Sequence, residues 1–342
     1  MASMNNDDGN EPLLEVRDLD VEVPSGRGHV LAVDDLSFAV RSRESVGLVG
    51  ESGSGKSLTL RAILGLLPPR TRIVRGQVSF SGTDLRAMGK REMCKVRGRG
   101  IGMVFQEPMT ALNPVVRVGE QISDAARRSL KLSHREARSH AVEIMKHMGI
   151  PDAESRYDVY PHELSGGLRQ RIMIAAALVS RPRLLFCDEP TTALDVTIQY
   201  QIIKLLRHLR DETAMSLVYV THDLAVVTQL CERIEVMYAG RILESGATEE
   251  IFQRPRHPYT LGLLKSVPRI EVPQASLSAI PGSAPTPSSR PSGCPFHPRC
   301  HFGGPECWQG AFPLRMVQPG HASACIHDDR CADEATRELV IL

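Results

Sequence analysis

Eight residues, Gly50-Glu51-Ser52-Gly53-Ser54-Gly55-Lys56-Ser57, combine three glycines, a lysine and a hydroxyl at the spacing G-x-x-x-x-G-K-[ST], with Leu58 following. That pattern suits polyphosphate: the glycines let backbone N–H groups turn inward around an anion, Lys56 reaches the outer phosphates and the Ser57 hydroxyl can ligate Mg²⁺. A second stretch, Leu184-Leu-Phe-Cys-Asp188-Glu189, ends an apolar run in two adjacent carboxylates. Asp188 is placed to hold Mg²⁺, and Glu189, on the other side by strand alternation, to polarise a water for attack on the γ-phosphate. A third, Leu164-Ser165-Gly166-Gly167-Leu168-Arg169-Gln170, puts small residues before an apolar face of Ile172, Ala175, Ala176 and Val179. It is a second helix start suited to phosphate, and two such sites in one domain suggest that a second copy or a paralogue lends its helix end across an interface.

The elements that must hold these groups can be read around them. Val46 to Val49 is a short apolar run before the glycine loop, and Leu60, Ile63, Leu64 and Leu67 after it fall on one helical face that Pro68 and Pro69 stop. The loop therefore joins a strand to a helix. Leu19-Val21-Val23 and Leu36-Phe38-Val40 alternate around the turn PSGRG as an antiparallel pair, and GQVSFSGTDL from Gly76 repeats the pattern. Residues 108–180 are mostly helical, whereas Leu184 to Cys187 and Leu217 to Val220 look like buried parallel strands. Strands alternating with helices give an α/β core. After Leu264 the composition changes: residues 268–293 carry six prolines and six serines and read as an extended connection.

Composition narrows the function. Lys plus Arg number 41 against 40 for Asp plus Glu in 342 residues, so no positive surplus favours a nucleic-acid backbone or an anionic membrane surface. The acidic start MASMNNDDGNEP is unlike a secretory signal or transit peptide, which points to the cytoplasm. No window approaches the roughly 20 apolar residues of a membrane-spanning helix. Five of the eight cysteines, Cys294, Cys300, Cys307, Cys325 and Cys331, crowd the end of the chain. In a reducing compartment that clustering suggests metal before disulfide, although the spacing is not the C-x2-C of common zinc sites and buried inert thiols are the alternative.

With these motifs assembled, the chain resembles the nucleotide-binding subunit of an ATP-binding cassette (ABC) transporter. The order runs from the phosphate loop through Gln106 in MVFQEP, the LSGG at 164–167, Asp188 and Glu189, and Ala193-Leu-Asp195, to His222 in VYVTHDL, covering most of residues 14–250. The resemblance implies a P-loop NTPase of ABC type: a mixed-sheet ATPase core with an antiparallel β lobe and an inserted helical subdomain. It implies that Gln106 contacts Mg²⁺ and senses membrane subunits, that Ser165, Gly166, Gly167 and Asp195 serve a dimer interface, and that His222 touches the γ-phosphate. The family usually stacks adenine on an aromatic residue ahead of the loop; that place falls here at Arg27, which can stack by its guanidinium plane, with His29 as the other candidate. Position 168 is Leu where many members have Gln, as is common in the peptide-importer branch.

FQEPMTALNP, YPHELSGGLRQR, RHPYTLGLLKSVPR and GCPFHPRCHFGGPEC resemble the oligopeptide, dipeptide and nickel importer subfamily. This implies an ATP hydrolase at the cytoplasmic face of the inner membrane, driving peptide uptake, or nickel or another small solute in its nearest alternative. The implied partners are a second, paralogous ATPase chain, two transmembrane permease subunits and an extracytoplasmic solute-binding protein, with no nucleic acid. The more distant alternative is a soluble cassette ATPase acting on nucleic acid or ribosomes. Similar tails in the subfamily look like holders of a 4Fe–4S cluster, and that resemblance implies Cys294, Cys300, Cys307 and Cys325 as its ligands, with Zn²⁺ the other metal and Cys331, His297, His301, His321 and His327 as substitutes. The expected organisation is residues 1–12 flexible, 13–265 the nucleotide-binding domain with a helical subdomain at about 107–180, 266–293 a linker, and 294–342 a small Cys-rich extension.

Overall fold

The computed structural model describes residues 11–26, 28–192, 194–267 and 279–339. The chain begins with an antiparallel hairpin, β1 (Leu14–Ser25) and β2 (Gly28–Val40), then enters β3 (Ser45–Val49), the glycine loop and α1 (Lys56–Ile63). β4 (Arg72–Phe80) and β5 (Thr83–Asp84) return to the hairpin, giving a four-stranded lobe in the order β2-β1-β4-β5. α2 (Lys90–Lys95) leads to β6 (Ile101–Val104) and a helical run of α3 (Pro108–Ala111), α4 (Val118–Leu130), α5 (His134–His147), α6 (Ala153–Arg156) and α7 (Gly166–Leu178). The chain then re-enters the core with β7 (Leu184–Asp188), α8 (Val196–Thr213), β8 (Ser216–Thr221), α9 (Leu224–Leu230), β9 (Arg233–Tyr238) and β10 (Arg241–Ala247). α10 (Thr248–Gln253), α11 (Pro258–Lys265), β11 (Arg315–Gln318), β12 (His321–Ser323) and α12 (Asp328–Glu338) complete it.

The main sheet runs β11-β12-β10-β9-β3-β8-β7-β6. Its five-strand centre, β9 to β6, is parallel, and β10, β12 and β11 are added antiparallel. Every residue of β3, β7 and β8 is buried, because both sheet faces are covered. Alternation divides their side chains between two cores. Val46, Leu48, Leu184, Phe186, Val218 and Val220 pack with the β lobe and α1, while Val49, Leu185, Cys187, Leu217 and Tyr219 pack with the helical run, α8, α9 and the tail.

Two expectations change in detail. α1 ends at Ile63, five residues before the prolines, because Gly65 takes a left-handed φ of +61 and turns the chain; Leu67 lies beyond the helix. The tail is also not a separate appendage, since β12 pairs with β10 and extends the central sheet. A buried carboxylate anchors it there: Glu244 accepts Arg256 N–H at 2.6 Å, His257 N–H at 3.0 Å and His321 Nε2–H at 2.7 Å. The connection before it lies partly outside the described residues; within residues 279–293, Arg290 donates to Asp34 at 2.6 Å and to the Leu31 carbonyl at 2.7 Å, which ties the segment to β2.

Candidate functional site

Parallel strands β3, β7 and β8 bring their carboxyl ends to one edge of the sheet, which is where an open α/β sheet binds ligands. The loop after β3 depends on its glycines. Gly55 sits at φ +106, where a Cβ would stand 2.7 Å from Met237 Cε, and a Cβ on Gly50 would stand 2.0 Å from the Met237 carbonyl. Lys56 is buried, and its Nζ donates to the carbonyls of Gly50 at 2.7 Å and Glu51 at 2.9 Å and to Ser54 Oγ at 3.2 Å. Burial pulls its pKa below the ordinary lysine value, against support from Glu189, Asp188 and Glu51.

Ser57 Oγ donates to Asp188 Oδ1 at 2.6 Å across 131 residues of sequence. The other Asp188 oxygen, Oδ2, is buried without a partner. Burial raises the Asp188 pKa, opposed by the Ser57 hydrogen bond and by Arg61 and Lys56. A buried, unsatisfied carboxylate oxygen beside a serine hydroxyl is a donor set that fits Mg²⁺, a hard cation that takes oxygen ligands.

Glu189 is placed by a backbone device and not by strand alternation alone. It follows β7 at φ +44, a left-handed conformation costly for a glutamate, while its N–H donates to the Val220 carbonyl at 3.0 Å. The carboxylate Oε2 then receives Gln106 Nε2–H at 3.3 Å and Thr192 Oγ–H at 2.9 Å and lies 3.3 Å from His222 Nδ1. Lys56, Ser57, Gln106, Asp188, Glu189 and His222 thus converge at one edge of the sheet. Thr192 joins them without having been singled out in the sequence; its position three residues after Glu189, one turn on, was the available signal.

Ser165, Gly166 and Gly167 lie elsewhere. Ser165 caps α7 by accepting Leu168 N–H at 3.4 Å, and the two glycines face Leu194 and Ile198 at the start of α8. No hydrogen bond joins them to the glycine loop among the described residues. Asp195 caps α8 through Ile198 N–H at 2.9 Å, beside the exposed Val196 and Tyr200. Arg27 lies outside the described residues; His29 is exposed and pairs with the Arg70 carbonyl at 3.2 Å.

Cys294, Cys300, Cys307 and Cys325 line one small cavity together with His257, His297 and His327. Burial pushes Cys300 up to about 11 and Cys325 up to about 12, and raises Cys294, which keeps these thiols protonated near neutral pH. Among the described residues, Glu306, Cys307 and His327 are the group of possible ligand atoms lying within 4.8 Å of one another, so no three of the sulfurs are that close. Mononuclear tetrahedral zinc held by these cysteines, with Zn–S near 2.3 Å, would require its sulfurs closer together than that. His257 supplies a second sign of fit. Its Nδ1 accepts Tyr259 N–H at 3.1 Å, so the neutral ring carries its proton on Nε2, and that atom is buried without a partner. Sulfur is an acceptor it could use. Of the substitutes, Cys331 is buried outside the cavity lining, His301 pairs with Glu334 at 2.8 Å and His321 with Glu244.

A groove of about 900 Å³ lies between the core and the helical run, floored by Leu66, Met103, Phe105, Leu112 and Met173 and edged by the basic residues Arg97 and Arg128. Among the described residues no helix is long and apolar enough to cross a membrane.

Comparison with known proteins agrees with this geometry. Residues 33–192 match the family model described as ABC transporter, and residues 243–307 match the one described as oligopeptide/dipeptide transporter, C-terminal region. A Brucella abortus protein named "Putative peptide import ATP-binding protein" is 47% identical over 314 residues, covering 92% of this chain and 94% of the relative. A Brucella melitensis protein of the same name type is 46% identical over 328 residues, covering 92% and 97%. Among solved structures, the dimeric ATP-binding cassette MJ0796 in a post-hydrolysis state bound to ADP and Pi superposes with a TM-score of 0.62 at 28% identity, covering 69% of this chain and 98% of that one. The cbiO1 protein of Clostridium perfringens, part of the transporter complex cbiONQ, gives 0.61 at 29% identity, covering 71% and 91%.

Proposed function

This chain belongs to the ATP-binding subunits of the ABC transporter family, in the branch with the oligopeptide/dipeptide C-terminal region, and we propose that it hydrolyses ATP to drive peptide import through a membrane complex. The observation that carries the ATPase reading is the convergence of Ser57 and Asp188, at 2.6 Å, beside a Glu189 braced by Gln106, Thr192 and His222.

In this reading the loop amides of 50–57 receive the triphosphate, and Lys56 exchanges loop carbonyls for phosphate oxygens. Mg²⁺, held by Ser57 and Asp188 with Gln106 alongside, supplies charge neutralisation on the phosphate oxygens when bound. Glu189 orients a water and accepts its proton, and the left-handed backbone directs that carboxylate outward from the strand end. His222, exposed at the rim and next to Glu189, holds the γ-phosphate side. Catalysis is positioning and electrostatics, with no covalent bond to the protein.

Two chains would close head to tail. The exposed Ser165 and Gly166 at the start of α7 and the exposed Asp195, Val196 and Tyr200 at the start of α8 support that face as the one offered to a second ATPase chain, here a paralogue. The apolar groove beside Leu112 and Phe105, the latter next in sequence to Gln106, supports a seat for a permease segment at the cytoplasmic face of the membrane. The solute-binding protein completes the assembly from outside.

Reconstitution of the chain with its co-purified membrane subunits tests this. Peptides presented by the binding protein should accelerate ATP hydrolysis and enter the vesicles, and Lys56→Ala should abolish both. Hydrolysis indifferent to every peptide tried would overturn the import assignment.

The tail cysteines at 294, 300, 307 and 325 are proposed to hold a 4Fe–4S cluster, supported by the shared cavity and the orphan His257 Nε2. Such a cluster would crosslink four tail positions. Protein purified without oxygen should be brown and contain iron and acid-labile sulfide; a colourless preparation with stoichiometric zinc would assign zinc instead.

A further inference from the structure

The cysteine-rich tail reaches the phosphate loop directly. Arg299, between Pro298 and the cavity residue Cys300, has a side chain only 7% exposed, and its two terminal nitrogens donate to the Glu51 carboxylate at 2.6 and 3.0 Å as a two-pronged pair. Its Nε donates to the Pro281 carbonyl at 2.7 Å, and further bonds reach the Gly282 carbonyl at 3.3 Å and Tyr238 Oη at 3.2 Å. The guanidinium also lies 5.8 Å from the Tyr238 ring centre and 5.9 Å from that of Phe296.

Glu51 is held at its other atoms as well. Its N–H donates to Tyr259 Oη at 2.8 Å, and its carbonyl accepts from Lys56 Nζ at 2.9 Å. Tyr259 packs on Tyr238 and on Phe296, with ring centres 4.6 and 5.3 Å apart. One residue of the loop is therefore fixed by a tail arginine, by a tyrosine of α11 and by the loop's own lysine.

A carboxylate at the second position of an anion-binding loop is an electrostatic contradiction. Free, it would repel an incoming triphosphate, and its oxygens would compete for the same backbone N–H groups. We propose that Arg299 is a positioning residue for ATP: it neutralises the Glu51 carboxylate and holds it turned away from the phosphate nest, so that the tail forms part of the nucleotide site. Arg299 touches no reacting atom and acts through Glu51. Lysine cannot replace it fully, since an ammonium lacks the planar fork that takes both carboxylate oxygens. Because Arg299 adjoins Cys300, whatever orders the cysteine cavity also orders this pair. The inference rests on the ATP-hydrolysing reading of the site.

The test measures Mg-ATP binding to the full chain and ATP hydrolysis in the assembled complex. Arg299→Gln should raise Kd and KM for ATP about tenfold or more while kcat at saturating ATP is retained, the cost of leaving a half-buried carboxylate unpaired. Arg299→Lys should fall between the two, and Glu51→Gln combined with Arg299→Gln should recover most of the lost affinity, because the repelling charge is gone. Wild-type affinity in Arg299→Gln, or a double variant as weak as the single one, overturns the proposal. Should Arg299→Gln fail to fold, Arg299→Lys and the double variant carry the same comparison. Wild-type chain that binds no ATP would instead sink the ATPase reading itself.

Discussion

Two sides of one glycine loop are built on opposite plans. Toward β7 and β8 the polar groups are left open: Asp188 Oδ2 is buried with no partner, His222 is 54% exposed, and Glu189 is held in a left-handed backbone. Toward the tail, Glu51, Arg299, Tyr259, Glu244 and His321 are buried or half-buried and bonded to one another or to nearby backbone. Unmet hydrogen-bonding capacity and backbone strain on the phosphate side mark where a ligand must come and go, while the bonded set around Glu51 marks the frame that keeps the loop still; the orphan His257 Nε2 belongs to the cysteine cavity behind that frame. The loop needs both, since a phosphate nest gains affinity only if its amides are already in place.

The sharpest break of this contrast is at Glu189. Changing it to Gln keeps size and hydrogen bonding but removes the base proposed above, so ATP turnover in the assembled complex should fall at least about a hundredfold while ATP binding persists and the proposed closed dimer accumulates. Turnover near wild type would remove Glu189 from the chemistry. On the saturated side, Glu244→Ala strands Arg256 N–H, His257 N–H and His321 in the interior, for a loss of about 3 kcal/mol in unfolding free energy, read by denaturant titration. If stability is unchanged, the tail is not clamped there.

His257 makes the contrast pH-dependent. Burial presses its imidazole down to about 3, while an unfolded histidine titrates near 6.5, so the fold refuses a proton that the unfolded chain accepts. The sign follows: its stabilisation is present above pH 6.5 and is lost as pH falls toward 3. Metal-free protein should lose about 2 kcal/mol from this group between pH 6.5 and 5, and His257→Gln should flatten that part of the pH–stability curve. The smallest effect is expected at Thr192, whose hydroxyl donates to Glu189 at 2.9 Å. Thr192→Ala should cost about 1 kcal/mol of transition-state stabilisation, a several-fold drop in kcat with KM for ATP preserved.

Much of the open side could be read from residue types. GESGSGKS states its chemistry because a phosphate loop is a local object whose glycines, lysine and serine act within eight positions. The strand ending in Asp188 and Glu189 could likewise be read from its apolar run, but the φ of +44 that aims Glu189 could not, since glutamate carries no preference for that region. The tail illustrates the reverse. HPRC and HPYT stood out as motifs, yet nothing in their spelling points to Glu51, which lies 248 residues from Arg299 and 208 from Tyr259. Cysteine spacing also left metal and inert thiols open, because it says nothing of whether four sulfurs meet; the shared cavity came from the docking of β12 on β10 and of Phe296 on Tyr238 and Tyr259.

By itself the amino-acid sequence determined the kind of chemistry, a nucleotide phosphate gripped by a strand-loop-helix, and the order of the parts around it, because those depend on short-range backbone geometry and hydrophobic period. Only the tertiary structure decided that the chain's end completes the loop at its beginning. Charge pairing and burial act through space between residues that sequence separates, and they take effect only once the sheet has brought those residues to the same edge.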